Sequence, residues 1–238
     1  MTTDPEHFQA GALDDDTERH LRRRLARSLN ATLRNLLPEV AVREVQRYRG
    51  FAVGERPIFL KKRLLNAIGL DRPTILSSPE TIGSVLFVCF GNIIRSPMCE
   101  GLLIRELEVL SNTRVAVSSA GLHALPGRAA YPWALTAARE FGISLEGHHA
   151  RLLTGQMLDE ADAIFAMDYQ NQVELLSHWP SSRKKVHMLS AYAGKDYPSV
   201  EIPDPYTVGP EETIKCYRVL KLCIRHLAHS LSGCKQAT

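Results

Sequence analysis

The residues with the clearest chemical potential are Cys89 and Arg95, six positions apart in the run VLFVCFGNIIRSP of residues 85–97. An arginine guanidinium is a planar fork of donors that can bind two phosphoryl oxygens at once, which lysine cannot do. The backbone N–H groups between the two residues can surround the same oxygens, and we expect Gly91 to adopt the unusual dihedral angles of such a loop. The predicted phosphate-binding residues are Phe90, Gly91, Asn92, Ile93, Ile94, Arg95 and Ser96. This spacing predicts a loop that holds a phosphoryl group beside a thiol.

Cys89 is the predicted nucleophile of this loop. Ser96-Pro97 favours the start of a helix, and the positive N-terminus of that helix, together with Arg95, favours the thiolate form. The thiolate would attack phosphorus and form a phosphocysteine that water hydrolyses. The departing oxygen needs a proton, and Asp204, between two prolines, is the predicted general acid. The predicted catalytic residues are therefore Cys89, Arg95 and Asp204.

The elements that must position this loop alternate between strand and helix after residue 83. The sequence predicts strands at 85–88, 114–118, 163–166 and 186–189, and helices at 97–110, 133–141, 168–178 and 211–231. Four successive strand–helix units predict an α/β fold with a parallel sheet and helices on both faces. Ligands of such sheets bind at the carboxyl ends of the strands, which is where Cys89 follows the first one.

The first 83 residues predict a helical extension followed by a linker, and residues 84–238 predict the catalytic domain. Leucines recur every four positions in a predicted helix at 14–37, namely Leu21, Leu25, Leu29 and Leu33. A second helix is predicted at 58–68, and the Ser, Pro and Gly content of 77–83 indicates a linker. The basic run at 19–27 could bind a partner or an anionic membrane surface, although a solvated helix face is the alternative.

Composition excludes several classes of protein. The formal charge is +3, and the first 83 residues, with 14 of the 29 Lys and Arg and 11 of the 26 Asp and Glu, hold all of this excess. This weak imbalance argues against a nucleic-acid partner. Five cysteines without paired spacing predict neither a disulfide framework nor a metal site. No apolar run is long enough for a transmembrane segment and the start of the chain has no secretory signal, so we expect a cytoplasmic protein.

The motifs together resemble those of the low-molecular-weight protein tyrosine phosphatases, whose signature is C-x-G-N-x-x-R-S-P with a later D-P-Y. The resemblance covers residues 84–231 and includes intermediate blocks at 118–121, 145–151 and 166–168. The chain is most similar to the bacterial branch that dephosphorylates tyrosine kinases of capsule and exopolysaccharide export. The resemblance implies a three-layer α/β/α sandwich around a four-stranded parallel sheet. It also implies a phosphotyrosine protein as substrate and a reaction without metal or cofactor.

The family resemblance also implies roles for residues around the loop. Asn92, Ser96, Ser119 and His148 would shape the loop by hydrogen bonds, with Ser96 donating toward the thiolate. Ile93, Leu125 and Tyr206 would form the slot for the aromatic ring of the substrate. Many relatives have a cysteine immediately before the arginine that can form a disulfide with the nucleophile, but this chain has Ile94 there. We therefore expect no redox protection by that route.

Three alternatives remain open at this stage. An arsenate reductase on the same scaffold would need additional cysteines near the loop, and only Cys99 is close in sequence. A protein-arginine phosphatase would be expected to have a small polar residue in place of Ile93. A regulator that binds phosphotyrosine without catalysis would not need all three catalytic residues.

The remaining cysteines and two histidines have simpler interpretations. Cys99 is expected to be a buried core thiol, and Cys216 and Cys223, seven positions apart, are expected on one buried helix face. Cys234 lies near the end of the printed sequence and is given no role. His123 and His149 are interpreted as surface residues.

Overall fold

The computed structural model describes residues 46–70, 73–112, 114–197 and 199–233 of the 238-residue chain. The chain divides into two compact units, residues 1–51 and residues 52–238. In the first unit, residues 46–50 are helical. The predicted helix at 14–37, the basic run at 19–27 and Cys234 lie outside the described residues. Among the described residues, no helix combines the length and apolar character needed to cross a membrane.

The second unit is built around a four-stranded parallel sheet. Its strands are β1 (Ser84–Cys89), β2 (Ala116–Gly121), β3 (Ala163–Ala166) and β4 (Val186–Met188). The spatial order is β2-β1-β3-β4, which makes β1 a central strand. Cys89, the last residue of β1, pairs with Gly121, the last residue of β2. The chain therefore leaves two neighbouring strands at the same edge of the sheet.

Within the described residues of the second unit, six α-helices pack around the sheet. They are α1 (Arg56–Ala67), α2 (Arg95–Val109), α3 (Pro132–Glu140), α4 (Gly155–Glu160), α5 (Tyr169–His178) and α6 (Pro210–Leu231). Buried residues of α2, α3 and α6 share one core with Val85 and Phe87. Buried residues of α4 and α5 share a second core with Leu86 and Val88. The predicted three-layer α/β/α sandwich is thus confirmed, and the continuous apolar run of β1 is explained because both of its faces are buried.

Most predicted elements lie within a few residues of the observed ones, with two exceptions. The second strand was expected at 114–118 but β2 runs to Gly121, because its pairing with β1 continues as far as Cys89. Helix α4 was not predicted, since six residues are too few to show a helical period. Its N-terminus is capped by Thr154, whose hydroxyl accepts a hydrogen bond from the backbone of Met157.

The segment before the sheet also contacts the rest of the second unit. The predicted helix at 58–68 is confirmed as α1, which contacts α5 and buries Phe59. In the predicted linker at 77–83, Ile82 is buried and the carbonyl of Glu80 accepts a hydrogen bond of 2.6 Å from Arg114. Upstream of it, the backbone N–H of Leu76 donates to the hydroxyl of Tyr192 at 3.0 Å.

Candidate active site

The predicted phosphate-binding loop connects β1 to α2. Cys89 ends the strand, and α2 begins at Arg95. The residue with a left-handed backbone is Asn92, with φ of 52°, and Gly91 is not among the positive-φ residues. The expectation that Gly91 supplies the unusual dihedral angle was therefore wrong. Asparagine tolerates this region better than most residues, and its side chain is held by the contacts described below.

Gly121 is required by a close approach between β2 and the loop, which sequence reasoning missed. A Cβ atom at this position would lie 2.7 Å from the backbone nitrogen of Asn92 and 2.9 Å from the carbonyl oxygen of Phe90. The two segments are joined just beyond it, where Leu122 N–H donates to the carbonyl of Cys89 at 3.0 Å. Only the absence of a side chain at Gly121 allows the two backbones to lie this close.

The Cys89 thiol is buried and has two polar neighbours. Its Sγ lies 3.0 Å from the hydroxyl of Ser96 and accepts a hydrogen bond of 3.3 Å from the backbone N–H of Asn92. The Ser96 hydroxyl accepts from the Asn92 amide at 2.9 Å, so its own proton is available for Sγ or for the carbonyl of Ala120 at 3.3 Å. Donors directed at sulfur stabilise a thiolate.

Asn92 is the hub of the hydrogen bonds that hold the loop. Its amide also donates to the hydroxyl of Ser119 at 2.8 Å, and its Oδ1 accepts from the backbone N–H of Arg151 at 2.8 Å. Nε2 of His148 lies 2.7 Å from the Asn92 carbonyl and, since a carbonyl only accepts, must carry the proton. The structure thus brings together all four residues to which the resemblance assigned a loop-shaping role, Asn92, Ser96, Ser119 and His148.

Arg95 is buried at the base of the site and is held by two carboxylates. Its Nη1 donates to Asp168 at 2.6 Å and to the carbonyl of Ile202 at 3.0 Å, while its Nη2 donates to Asp204. Burial alone would lower the pKa of Arg95, but the two carboxylates outweigh it and raise the pKa above its ordinary value. The guanidinium is therefore permanently charged and fixed in orientation.

Asp168 is a site residue that sequence reasoning did not identify. It caps α5, because its Oδ1 accepts from the backbone N–H of Asn171 at 2.8 Å, while its Oδ2 binds Arg95. One carboxylate therefore ties the end of β3 to the phosphate-binding arginine. Asp168 lies between the end of β3 and the start of α5, at the same edge of the sheet as Cys89. This position at the carboxyl end of a strand was the available sequence signal.

A cavity of about 500 Å³ opens above the loop. Cys89, Arg95 and Asp204 line it, as do the predicted slot residues Ile93, Leu125 and Tyr206. Ile93 is buried, whereas Leu125 and Tyr206 are exposed at the mouth. The structure therefore places the three predicted catalytic residues and the three predicted slot residues around one cavity.

Three further residues that were not predicted as part of the slot also form walls of the cavity. Phe90, His123 and Arg128 also line it, and the rings of Phe90 and His123 lie 4.5 Å apart. His123, interpreted above as a plain surface residue, is held by Glu174, whose carboxylate lies 2.6 Å from Nε2. His123 is exposed, as interpreted above, and it also lines the cavity. His149 is exposed, as expected.

The other thiols in the described part of the chain are buried core groups. Cys99, Cys216 and Cys223 are free and buried. Burial raises the pKa of Cys216 and of Cys223 to about 12 and raises that of Cys99 well above its ordinary value. These thiols therefore stay protonated and unreactive at neutral pH, which disfavours a reductase that needs them to resolve a thiol adduct.

Comparison with known proteins places this geometry among phosphatases. A family described as low molecular weight phosphotyrosine protein phosphatase matches residues 84–237. The low molecular weight protein-tyrosine-phosphatase Wzb of Escherichia coli K12 is 36% identical over 150 residues, which are 63% of this chain and 96% of that protein. The matched part begins near β1, so α1 lies outside the residues that the family match covers.

Solved structures show the same relationship. The tyrosine phosphatase Wzb from Escherichia coli K30, in complex with sulphate, aligns with a TM-score of 0.57 at 30% identity and covers 63% of this chain and 99% of that one. The YwlE arginine phosphatase from Geobacillus stearothermophilus aligns with a TM-score of 0.56 at 29% identity and covers 63% of this chain and 93% of that one.

Proposed function

The chain belongs to the low molecular weight phosphotyrosine protein phosphatase family, and on that basis we propose that it hydrolyses phosphotyrosine in proteins through a phosphocysteine on Cys89. The observation that supports this most directly is the surroundings of the sulfur. Sγ lies 3.0 Å from the Ser96 hydroxyl at the end of a central strand, and the fixed cation Arg95 starts the following helix. The proposed nucleophile and the proposed phosphate clamp thus share one loop.

In the first step, Sγ of Cys89 attacks phosphorus and the bond from phosphorus to the tyrosine oxygen breaks. The phosphoryl oxygens are held by the backbone N–H groups of the loop and by Arg95. Since Asp204 occupies Nη2 of Arg95 in this structure, a phosphoryl group that binds there displaces the carboxylate. The freed carboxylate of Asp204 takes up a proton from solvent, and the resulting carboxylic acid protonates the departing phenolic oxygen.

In the second step, water attacks the phosphocysteine. Asp204 accepts a proton from that water, the sulfur–phosphorus bond breaks, and phosphate leaves with the Cys89 thiolate regenerated. The Asn92 and Ser96 donors stabilise the negative charge that returns to sulfur.

Preference for an aryl phosphate is supported by the walls of the cavity. Ile93 lies at its base, and Leu125 and Tyr206 lie at its mouth. The Tyr206 ring packs edge-on against the ring of Tyr131, with 4.9 Å between the ring centroids. A flat aromatic ring fits such apolar surfaces better than a charged guanidinium does. Arginine phosphatase activity is the second candidate, because the YwlE arginine phosphatase is similar to this chain.

One assay separates these candidates. Hydrolysis of a phosphotyrosine peptide and of a phosphoarginine peptide should be compared, and we expect the higher kcat/KM for phosphotyrosine and complete loss in Cys89→Ser. Faster hydrolysis of phosphoarginine would assign the second activity. Wild-type protein that binds a phosphotyrosine peptide without turning it over would assign a binding role instead.

We also propose that residues 1–83 form an extension to a catalytic domain at 84–238. Removal of residues 1–80 should then leave turnover of para-nitrophenyl phosphate largely intact, and failure of the shortened chain to fold would contradict the division. Binding of the N-terminal region to a protein partner or a membrane surface remains a proposal that rests on its basic run at 19–27.

The resemblance to the bacterial polysaccharide-export branch supports a tyrosine kinase of such a system as the physiological substrate. Phosphotyrosine proteins trapped from the native host by Asp204→Ala would identify it, and a trapped set without a kinase would contradict the proposal. A thiol nucleophile works in a reducing compartment, which supports a cytoplasmic location. Cell fractionation tests that location.

A further inference from the structure

A second cavity of about 540 Å³ lies between α1, α5 and β4. None of the described residues that line it also lines the active-site cavity. One wall is α1, which precedes residue 84, where the family match begins. We refer to this second cavity as the α1 cavity. The wall that α1 forms therefore lies outside the part of the chain that matches the family.

The lining of the α1 cavity is positively charged. Lys61 and Lys62 reach it from α1, and Arg183 reaches it from the turn before β4. No carboxylate is among the described residues that line it. Within the described part of the chain, neither Lys61 nor Arg183 has an acidic side chain at ion-pair distance, whereas the nearby Arg63 is paired with Glu201 at 4.0 Å. Cations that line the same concave site attract anions.

The rest of the lining is largely apolar. Leu65 of α1, Leu176 of α5 and Val200 contribute aliphatic surface to the walls. The volume falls within the range of about 300–1,000 Å³ that is usual for small-molecule sites. A ligand of this size would therefore place an anionic group among the cations and an apolar part against the aliphatic walls.

Gln172 of α5 gives the α1 cavity a neutral polar group. The residue lines the cavity and is 7% exposed, and no group in the described part of the chain donates to its buried Oε1. A buried acceptor without a donor is costly, and a hydroxyl or amino group of a ligand would satisfy it. His187 also lines the cavity, and burial lowers its pKa, so it is a neutral hydrogen-bonding group at pH 7.

We propose that the α1 cavity is a binding site for an organic phosphate, such as a nucleotide, with the phosphates bound by Lys61, Lys62 and Arg183. The organic part packs against Leu65 and Leu176. The site is separate from the catalytic loop and does not depend on phosphatase activity.

Isothermal titration calorimetry of the full chain with metal-free ATP and with inorganic tripolyphosphate tests this site. All variants should carry Cys89→Ser, so that the probes are not hydrolysed. The test variant is Lys61→Gln/Arg183→Gln. The matched control is Lys184→Gln/Arg225→Gln, which removes the same charge from two exposed positions outside the cavity lining. Any binding of the probes to the active-site loop is common to both variants.

We expect the test variant to bind ATP at least about tenfold more weakly, because two charge-assisted contacts are lost, and the control to change less than about twofold. ATP should bind more tightly than tripolyphosphate, because the two have the same number of phosphates and only ATP has an organic part. The proposal would be overturned by equal weakening in test and control or by unchanged binding in the test variant. It would also be overturned by no ATP binding or by tripolyphosphate binding as tightly as ATP. When the same two substitutions are made in protein that keeps Cys89, the KM for para-nitrophenyl phosphate should equal that of wild type. An unchanged KM confirms that the fold is intact.

Discussion

Replacing Asp168 with asparagine removes one of the two carboxylates that hold the buried Arg95 guanidinium. Asparagine keeps an oxygen that can cap α5, so the change acts mainly on the 2.6 Å contact with Nη1. Loss of a buried ion-pair partner typically costs about 3–5 kcal/mol. Here Asp204 and the carbonyl of Ile202 still bind the guanidinium, so we expect a smaller loss of about 1.5–3 kcal/mol in the free energy of unfolding.

The effect of Asp168→Asn on catalysis should be of similar size. Without Asp168, the guanidinium can rotate away from the position that clamps a phosphoryl group. A loss of about 1.4–2.7 kcal/mol in transition-state stabilisation corresponds to a fall of about 10- to 100-fold in kcat/KM. Para-nitrophenyl phosphate kinetics and urea unfolding measure the two effects on the same sample.

Thr154→Ala is the matched control for the Asp168 prediction. It removes the N-cap of α4, far in sequence from Arg95, and should cost about 1 kcal/mol of stability without lowering kcat/KM. If Asp168→Asn lost stability but kept kcat/KM within twofold of wild type, Asp168 would be a helix cap only. The reasoning that it positions Arg95 would then be refuted.

Three further changes test other contacts. Asp204→Ala should lower kcat by about 10² to 10⁴ for aryl phosphates with poor leaving groups and less for para-nitrophenyl phosphate, and equal losses would contradict its role as general acid. Gly121→Ala should abolish turnover while circular dichroism stays unchanged, because its Cβ would lie 2.7 Å from the nitrogen of Asn92; an active variant would show that the loop can shift. Asp162 has a pKa lowered from 3.8, chiefly by a hydrogen bond from the backbone N–H at the start of the sheet, so the stability it contributes is present at higher pH and lost as the pH falls below that value. The melting temperatures of wild type and Asp162→Asn should therefore differ at pH 7, and the difference should shrink as the pH falls below 3.8; a constant difference would disprove the linkage.

Local sequence patterns predicted most of the fold because helices and strands of ordinary length show their own period. The apolar run of β1 and the spacing along α6 are visible without any partner. Helix α4 was missed because six residues contain less than two turns, and its helical state depends on its cap and on burial of Leu158. The end of β2 at Gly121 was missed because its pairing partner lies 32 residues earlier in the chain.

The candidate site also has features that the sequence could predict and features that it could not. Cys89, Arg95 and Asp204 could be chosen from the sequence alone, because phosphoryl transfer through a thiol needs a nucleophile, a bidentate cation and an acid, and few positions offer them in the right context. The left-handed backbone at Asn92 rather than Gly91 could not, since it depends on hydrogen bonds from residues as distant as Arg151.

The sequence by itself determined the loop chemistry, the order of strands and helices and the replacement of a second thiol by Ile94. Only the tertiary structure decided that Asp168 fixes Arg95, that Gly121 admits the loop, and that α1 closes a cationic cavity against α5. The physical reason is distance along the chain. Periodicity and motif spacing report neighbours within one element, whereas these three contacts join residues between 29 and about 120 positions apart and exist only after the sheet has assembled.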